Sequence, residues 1–287
     1  MPAMATIGIQ AFNALTWAMV LFLLSAGLTI VYGQMRIVNL AQGSFYLIGA
    51  YIAISLERFT GNYFLALIVG AIVIAAFGVI VEWLAIRPLY VAPLYQVLMT
   101  YGIMLVLGEI AKLLWGTLPQ TLAVPFVLQG RFDFLGIVVT WYRLAVILFG
   151  LFIAAILWYL HERTELGAML RAIIDDRQMA SGIGVNVDRV ATISFGLGAF
   201  LAALGGIAAS PIIAVYPGAD LEILLLGFAV IIIGGAGSLK GAFIAALLVG
   251  FVDVFGKGLA PELSRFTIFG LMAIVLAIRP YGLFGRR

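Results

Sequence analysis

The 287 residues carry a formal net charge of +3, are 64% hydrophobic and only 10% charged, far below the near-quarter charged share of soluble domains. Several apolar runs each reach the roughly 18 residues needed to cross about 30 Å of hydrocarbon, and no polar interval is long enough to bury a core of its own, which excludes a soluble fold. The positive charge comes from arginines at loop ends, so it reports orientation rather than nucleic-acid binding. The absence of cysteine removes disulfides and thiol chemistry, and a lone His161 does not supply a histidine metal site or a catalytic triad.

In chain order, no Lys or Arg precedes the first apolar run, so a cleaved signal peptide is not expected. The first span covers residues 12–31 and stops at Tyr32-Gly33-Gln34-Met35-Arg36. A second segment begins at Gly43 and reaches Glu57-Arg58, short for a full crossing. The third, residues 63–86, is closed by Arg87-Pro88. The fourth, 94–115, leads into a polar excursion holding Pro119, Pro125, Gly130, Arg131 and Asp133. The fifth, 141–160, delivers the chain to a polar loop, residues 161–189.

A sixth span, 190–209, sets Gly198, Ala202, Gly206 and Ser210 at four-residue intervals, a row that admits a close neighbour. Asp220 and Glu222, after Pro211 and Pro217, read as an external loop. The seventh segment, 223–233, is interrupted by the Gly234 to Gly241 run; the eighth continues to about Phe255. The ninth, 266–278, ends in an arginine-bearing tail that belongs inside. These nine segments make an all-α polytopic membrane protein with the N-terminus outside; eight to ten are allowed if either short segment fails to cross alone.

The 161–189 loop gathers much of the charge of an otherwise greasy chain, and its arginines place it in the cytoplasm. Leu166, Met169, Leu170, Ile173 and Ile174 recur at helical spacing, with Arg171, Asp175 and Asp176 on another face, so a short helix lying against something is expected. Gly182 and Gly184 mark its end and a change of direction. A solvated connector between two spans is the plainer alternative.

Two breaks correspond between the halves, Leu40-Ala41-Gln42-Gly43-Ser44-Phe45 and Ser238-Leu239-Lys240-Gly241-Ala242-Phe243, followed by Gly49 and Gly250. Interrupted helices in matching places point to a transport pathway, because unpaired backbone groups persist only where protein or water satisfies them. Two unrelated surface turns are the alternative. The run from Gly235 to Gly241 is no phosphate loop, since Leu239 precedes the lysine and Gly241 follows it. Glu109 with Lys112 and Asp253 with Lys257 are spaced to pair on one helix face. Glu82 lacks a partner three or four residues on, and is expected to reach the interface near Arg87.

The loop pattern Arg171-Ala172, Asp176, Ala180, Gly184 and Val185-Asn186-Val187-Asp188-Arg189-Val190 resembles the cytoplasmic loop of branched-chain amino acid permeases of ATP-binding cassette importers. So do the block from Gly27 to Gly33 with Asn39-Leu40-Ala41-Gln42-Gly43, the Gly234 to Gly241 run, and the Arg279-Pro280-Tyr281-Gly282-Leu283-Phe284-Gly285 tail. Family members often carry His where this chain has Gln42, so no protonatable role is transferred there.

The resemblance implies that the chain itself binds no cofactor, ATP and Mg residing on two partner ATPase subunits. It implies a second related permease chain, an extracytoplasmic solute-binding protein, a small-molecule substrate such as a branched-chain amino acid, and residence in the bacterial inner membrane. Arg171, Asp175, Asp176, Ala180 and Gly184 become the expected ATPase-coupling residues, and Asn39, Gln42, Gly43, Gly235, Gly237 and Ser238 the expected pathway residues. A secondary transporter or channel working without ATPases is the alternative from another class; a membrane enzyme is disfavoured because this chain has no Cys, a lone His and no clustered intramembrane carboxylates.

Overall fold

A backbone in hydrocarbon must satisfy its own hydrogen bonds, so apolar runs of this length fold as helices. The computed structural model describes residues 2–35, 38–90, 92–134, 137–259 and 261–285; the expected turn residue Arg36 and tail residues Arg286 and Arg287 lie outside them. The helices are α1 (Pro2–Met35), α2 (Ala41–Thr60), α3 (Tyr63–Val81), α4 (Pro93–Trp115), α5 (Trp141–Arg163), α6 (Glu165–Asp175), α7 (Arg177–Gly182), α8 (Val187–Ala209), α9 (Ala219–Gly234), α10 (Leu239–Leu259) and α11 (Ser264–Ile278). The nine expected segments are α1 to α5 and α8 to α11. Six helices among the described residues are long and apolar enough to cross a membrane, and the chain is an all-α polytopic membrane protein.

The core lies around α1 and α8, whose small residues let other helices close in. Gly198 of α8 abuts Gly27 of α1, and Gly206 lies against the Tyr46 backbone of α2, as the four-residue row anticipates. Phe45 meets Phe77 and Phe195 edge-to-face, with centroids 6.1 and 6.0 Å away, locking α2, α3 and α8 together. At the end of the bundle away from the 161–189 loop, Tyr63 and Tyr142 share a 2.9 Å hydrogen bond, and Tyr142 donates to the Ala208 carbonyl at 2.8 Å. The polar excursion after α4 forms a small antiparallel hairpin, β1 (Arg131–Phe134) and β2 (Ile137–Thr140). A two-way bridge between Gln120 and Val215 ties that excursion to the segment before α9.

Three local expectations change. Asp220 is not in an external loop: it sits in the first turn of α9 and is 6% exposed. Glu82 does not reach the interface; it is fully buried. The polar loop makes two short helices instead of one, because Asp176 caps a second start.

Candidate functional site: broken helices and the 161–189 loop

The first break opens deep in the bundle. Before α2, the Leu40 amide donates to Thr100 Oγ1 at 3.2 Å and the Ala41 amide to Asn39 Oδ1 at 3.1 Å, so two of the orphan donors of a helix start are satisfied by side chains. Gln42 Nε2 donates to the Gly198 carbonyl at 2.7 Å, and Asn39 Nδ2 donates to Gln42 Oε1 at 3.3 Å. Thr100 lies in the first half of α4 and Gly198 at the middle of α8, so the 20-residue α2 starts inside the bundle rather than at its end.

At the same depth the short α9 begins. Its 16 residues rise about 24 Å, less than the hydrocarbon thickness. Gly43 abuts the Asp220 backbone, and Ser44 Oγ donates to Asp220 Oδ2 at 3.1 Å. The starts of α2 and α9 thus meet, and the positive ends of both peptide-dipole arrays surround the Asp220 carboxylate.

The second break is elsewhere. Gly235 and Gly237 take φ of +98° and +84° to turn the chain from α9 into α10, a region where only glycine rests without strain. Ser238 Oγ accepts from the Gly241 amide at 3.1 Å, capping α10. The last carbonyls of α9 are capped by the tail: Leu283 N donates to Ile233 O at 2.8 Å and Phe284 N to Gly234 O at 3.0 Å. The two sets of expected pathway residues touch α1 at different levels, Gln42 at Gly27 and Gly237 at Gly33. Six residues separate those levels, about 9 Å of rise, so Asn39, Gln42 and Gly43 form one cluster and Gly235, Gly237 and Ser238 another.

The loop is held by three caps. Thr164 Oγ1 accepts from Gly167 N at 3.2 Å, Asp176 Oδ1 from Gln178 N and Met179 N at 2.8 and 3.0 Å, and Asn186 Oδ1 from Arg189 N at 3.0 Å. Gly184 turns the chain at φ +93°. Ala180 is 1% exposed and packs with Ile173 and Val190, so its small size serves packing inside the loop. Met179 and Ile183, 66% and 71% exposed, are the most exposed large apolar side chains of the loop, with Leu166 at 41%. Arg171 and Asp175 line an open cavity of about 1190 Å³ between α1, α5 and α10, together with Glu162, Ser238 and Lys240. Lys240 Nζ lies 3.4 Å from Glu162 Oε1 and 5.4 Å from the centre of the Trp158 ring.

A sequence model described as "Branched-chain amino acid transport system / permease component" matches residues 10–276. The chain belongs to this family. It is 29% identical to the high-affinity branched-chain amino acid transport permease BraD of Pseudomonas aeruginosa and 30% identical to LivH of Escherichia coli K12; each alignment covers 96% of this chain and 95% of the relative. The fold is shared with PsaBC from Streptococcus pneumoniae, solved in complex with Fab, at a TM-score of 0.52 and 17% identity over 99% of this chain and 98% of that one.

The permease also contains a polar cluster that helical spacing missed. Residues Glu82–Ile86 form a π turn, in which the Arg87 amide reaches back to the Glu82 carbonyl. The wider turn brings Arg87 at i+5 over Glu82, with Nε 3.8 Å from Oε1. Tyr90 donates to the same oxygen in a short hydrogen bond, and Thr192 Oγ1 of α8 lies 2.7 Å from Glu82 Oε2. Burial first, then the hydrogen bond with Glu82, push the Tyr90 phenol well above its ordinary pKa, so it remains a protonated donor. Glu109 with Lys112 and Asp253 with Lys257 pair as their spacing implies, at 2.6 and 2.7 Å.

Proposed function

We propose that this permease is the membrane-spanning subunit of an ATP-driven importer and passes branched-chain amino acids across the bacterial inner membrane. Its relatives BraD and LivH are named for that transport. In this reading an extracytoplasmic binding protein delivers the substrate, and the membrane core pairs this chain with a second, related permease. Two ATPase subunits hold ATP and Mg and engage the cytoplasmic loop; Met179 and Ile183 supply its apolar contact, with Arg171, Asp175, Asp176 and Gly184 shaping or orienting it.

The observation that carries the reading is the pair of short, separately capped helices α6 and α7, projecting apolar side chains where a purely connecting loop would be polar. Exposed apolar patches rimmed by charge mark contact surfaces. Arg163 and Arg189 near the ends of the loop and Arg177 within it support a cytoplasmic position. The pathway runs by the meeting point of α2 and α9, where Gly43 lies beside Asp220 and Asn39 and Gln42 hold the start of α2; Gly235, Gly237 and Ser238 form its inner end. Converging helix starts in mid-membrane suit the carboxylate of an amino acid, and Asp220 suits its ammonium group.

The test is uptake of radiolabelled L-leucine, L-isoleucine and L-valine into vesicles holding the complex isolated with its host partners. ATP-dependent accumulation that requires the binding protein is expected. Uptake indifferent to ATP, or driven by an ion gradient, would refute the importer reading.

A further inference from the structure

A fully buried carboxylate in the membrane body costs stability unless charge and hydrogen bonds compensate it, and Glu82 is 0% exposed. Its compensation comes from three residues in two parts of the chain: Tyr90 and Arg87 beyond the end of α3, and Thr192 on α8. Tyr90 in turn carries the Arg177 guanidinium 5.1 Å from its ring centre, and Arg177 is the first residue of α7. An unbroken series of contacts therefore leads from the cytoplasmic loop, through Tyr90, into the ends of α3 and α8.

One feature of the cluster makes it more than a brace. Glu82 Oε1 faces two donors: Tyr90 holds it now, while Arg87 Nε is buried, has no hydrogen-bond partner and stands 3.8 Å from the same oxygen, its guanidinium kept there by Nη2 donating to Thr192 Oγ1 at 3.5 Å. Were the phenol drawn away with Arg177, Arg87 would need to move by less than about 1 Å to reach ordinary hydrogen-bond distance. The π turn supplies the slack, since such turns already depart from the α-helical ladder.

We propose that Glu82, Arg87, Tyr90 and Arg177 form a two-position latch that passes displacement of the loop to α3 and α8. In one position Tyr90 occupies Glu82 Oε1; in the other Arg87 does. The latch rests on the importer reading above and adds its internal transmission. Glu82 and Tyr90 are positioning residues, and neither touches substrate.

The test uses the complete importer, isolated with its host partners and placed in lipid vesicles, and reads radiolabelled leucine taken up per ATP hydrolysed. Tyr90→Phe keeps the ring under Arg177 but cannot donate to Glu82. Arg177→Ala removes the pull, while Arg177→Lys keeps a cation over the ring. The expected result is a ratio lowered about fivefold or more in Tyr90→Phe and Arg177→Ala, the size of an ordinary coupling energy, with Arg177→Lys near wild type and the ATPases retained in all three. Wild-type ratios in Tyr90→Phe and Arg177→Ala overturn the latch and leave the importer reading standing. A lowered ratio that accompanies loss of the ATPases also counts against it, because that pattern marks defective docking. An unmutated permease that brings down no ATPase overturns both.

Discussion

The crossing of α3 and α8 has one of its closest approaches at Gly78, one turn from Glu82. A Cβ added at Gly78 would lie 2.6 Å from Ala199 Cβ, with the next neighbours at 3.7 and 3.8 Å. Carbon atoms prefer separations of about 3.5–4.0 Å, so Gly78→Ala forces the two helices apart by about 1 Å or twists one of them. Ala199 Cβ cannot rotate away, and overpacking of this kind costs about 1–3 kcal/mol. Ala199→Gly alone weakens α8 by about 1 kcal/mol through glycine's helix penalty. The double variant moves the methyl group from one helix to the other and removes the clash, so it should be more stable than Gly78→Ala. The assay is the thermal midpoint of the detergent-solubilised permease, where each kcal/mol corresponds to about 2–4 °C for chains approaching this size. Gly102→Ala, whose added Cβ meets nothing within 4 Å, is the control and should not lower the midpoint. Additive losses in the double variant would refute the packing argument.

Asn39→Ala frees the Ala41 amide at the buried start of α2 and should cost about 1 kcal/mol, the usual loss for a helix cap, together with reduced leucine uptake; a midpoint and uptake rate both equal to wild type would move the pathway away from this cluster. Ala180→Arg drives a long cation between Ile173 and Val190 and should displace α7, abolishing uptake while the chain still inserts in the membrane. Normal uptake by that variant would remove the loop from the mechanism.

Much of the fold was legible because hydrocarbon thickness and backbone satisfaction act on length and hydropathy alone. The nine apolar runs became α1 to α5 and α8 to α11 for that reason, and the two glycine-bearing breaks became helix starts because Asn39 and Ser238 can cap them. What could not be read depended on partners distant in sequence. Asp220 resembles a loop residue after Pro217 until Ser44, 176 positions away, is brought to it. Glu82 looked unpaired because the spacing rule for α-helices asks about i+3 and i+4; the π turn moves its partner to Arg87, and Thr192 is 110 positions on. Ala180, expected among the ATPase-coupling residues, packs instead on the loop's own Ile173 and Val190, partners too far along the chain for spacing to show. The exposed Met179 and Ile183 follow the stripe from Leu166 to Ile174 and fall in the separate helix started by Asp176, so the spacing of that stripe did not point to them.

The chain contains no cysteine, so a single introduced thiol reports one position without background. Ile183→Cys on the loop and Phe126→Cys on the opposite side of the membrane, at sites 71% and 89% exposed, can each be armed with a short photo-crosslinker in native membranes. Crosslinking of position 183 to an ATPase subunit, with none from position 126, is the predicted result. An ATPase captured from position 126, or a position 183 labelled only from outside the cell, would contradict the claim that a motor grips this permease by its cytoplasmic loop.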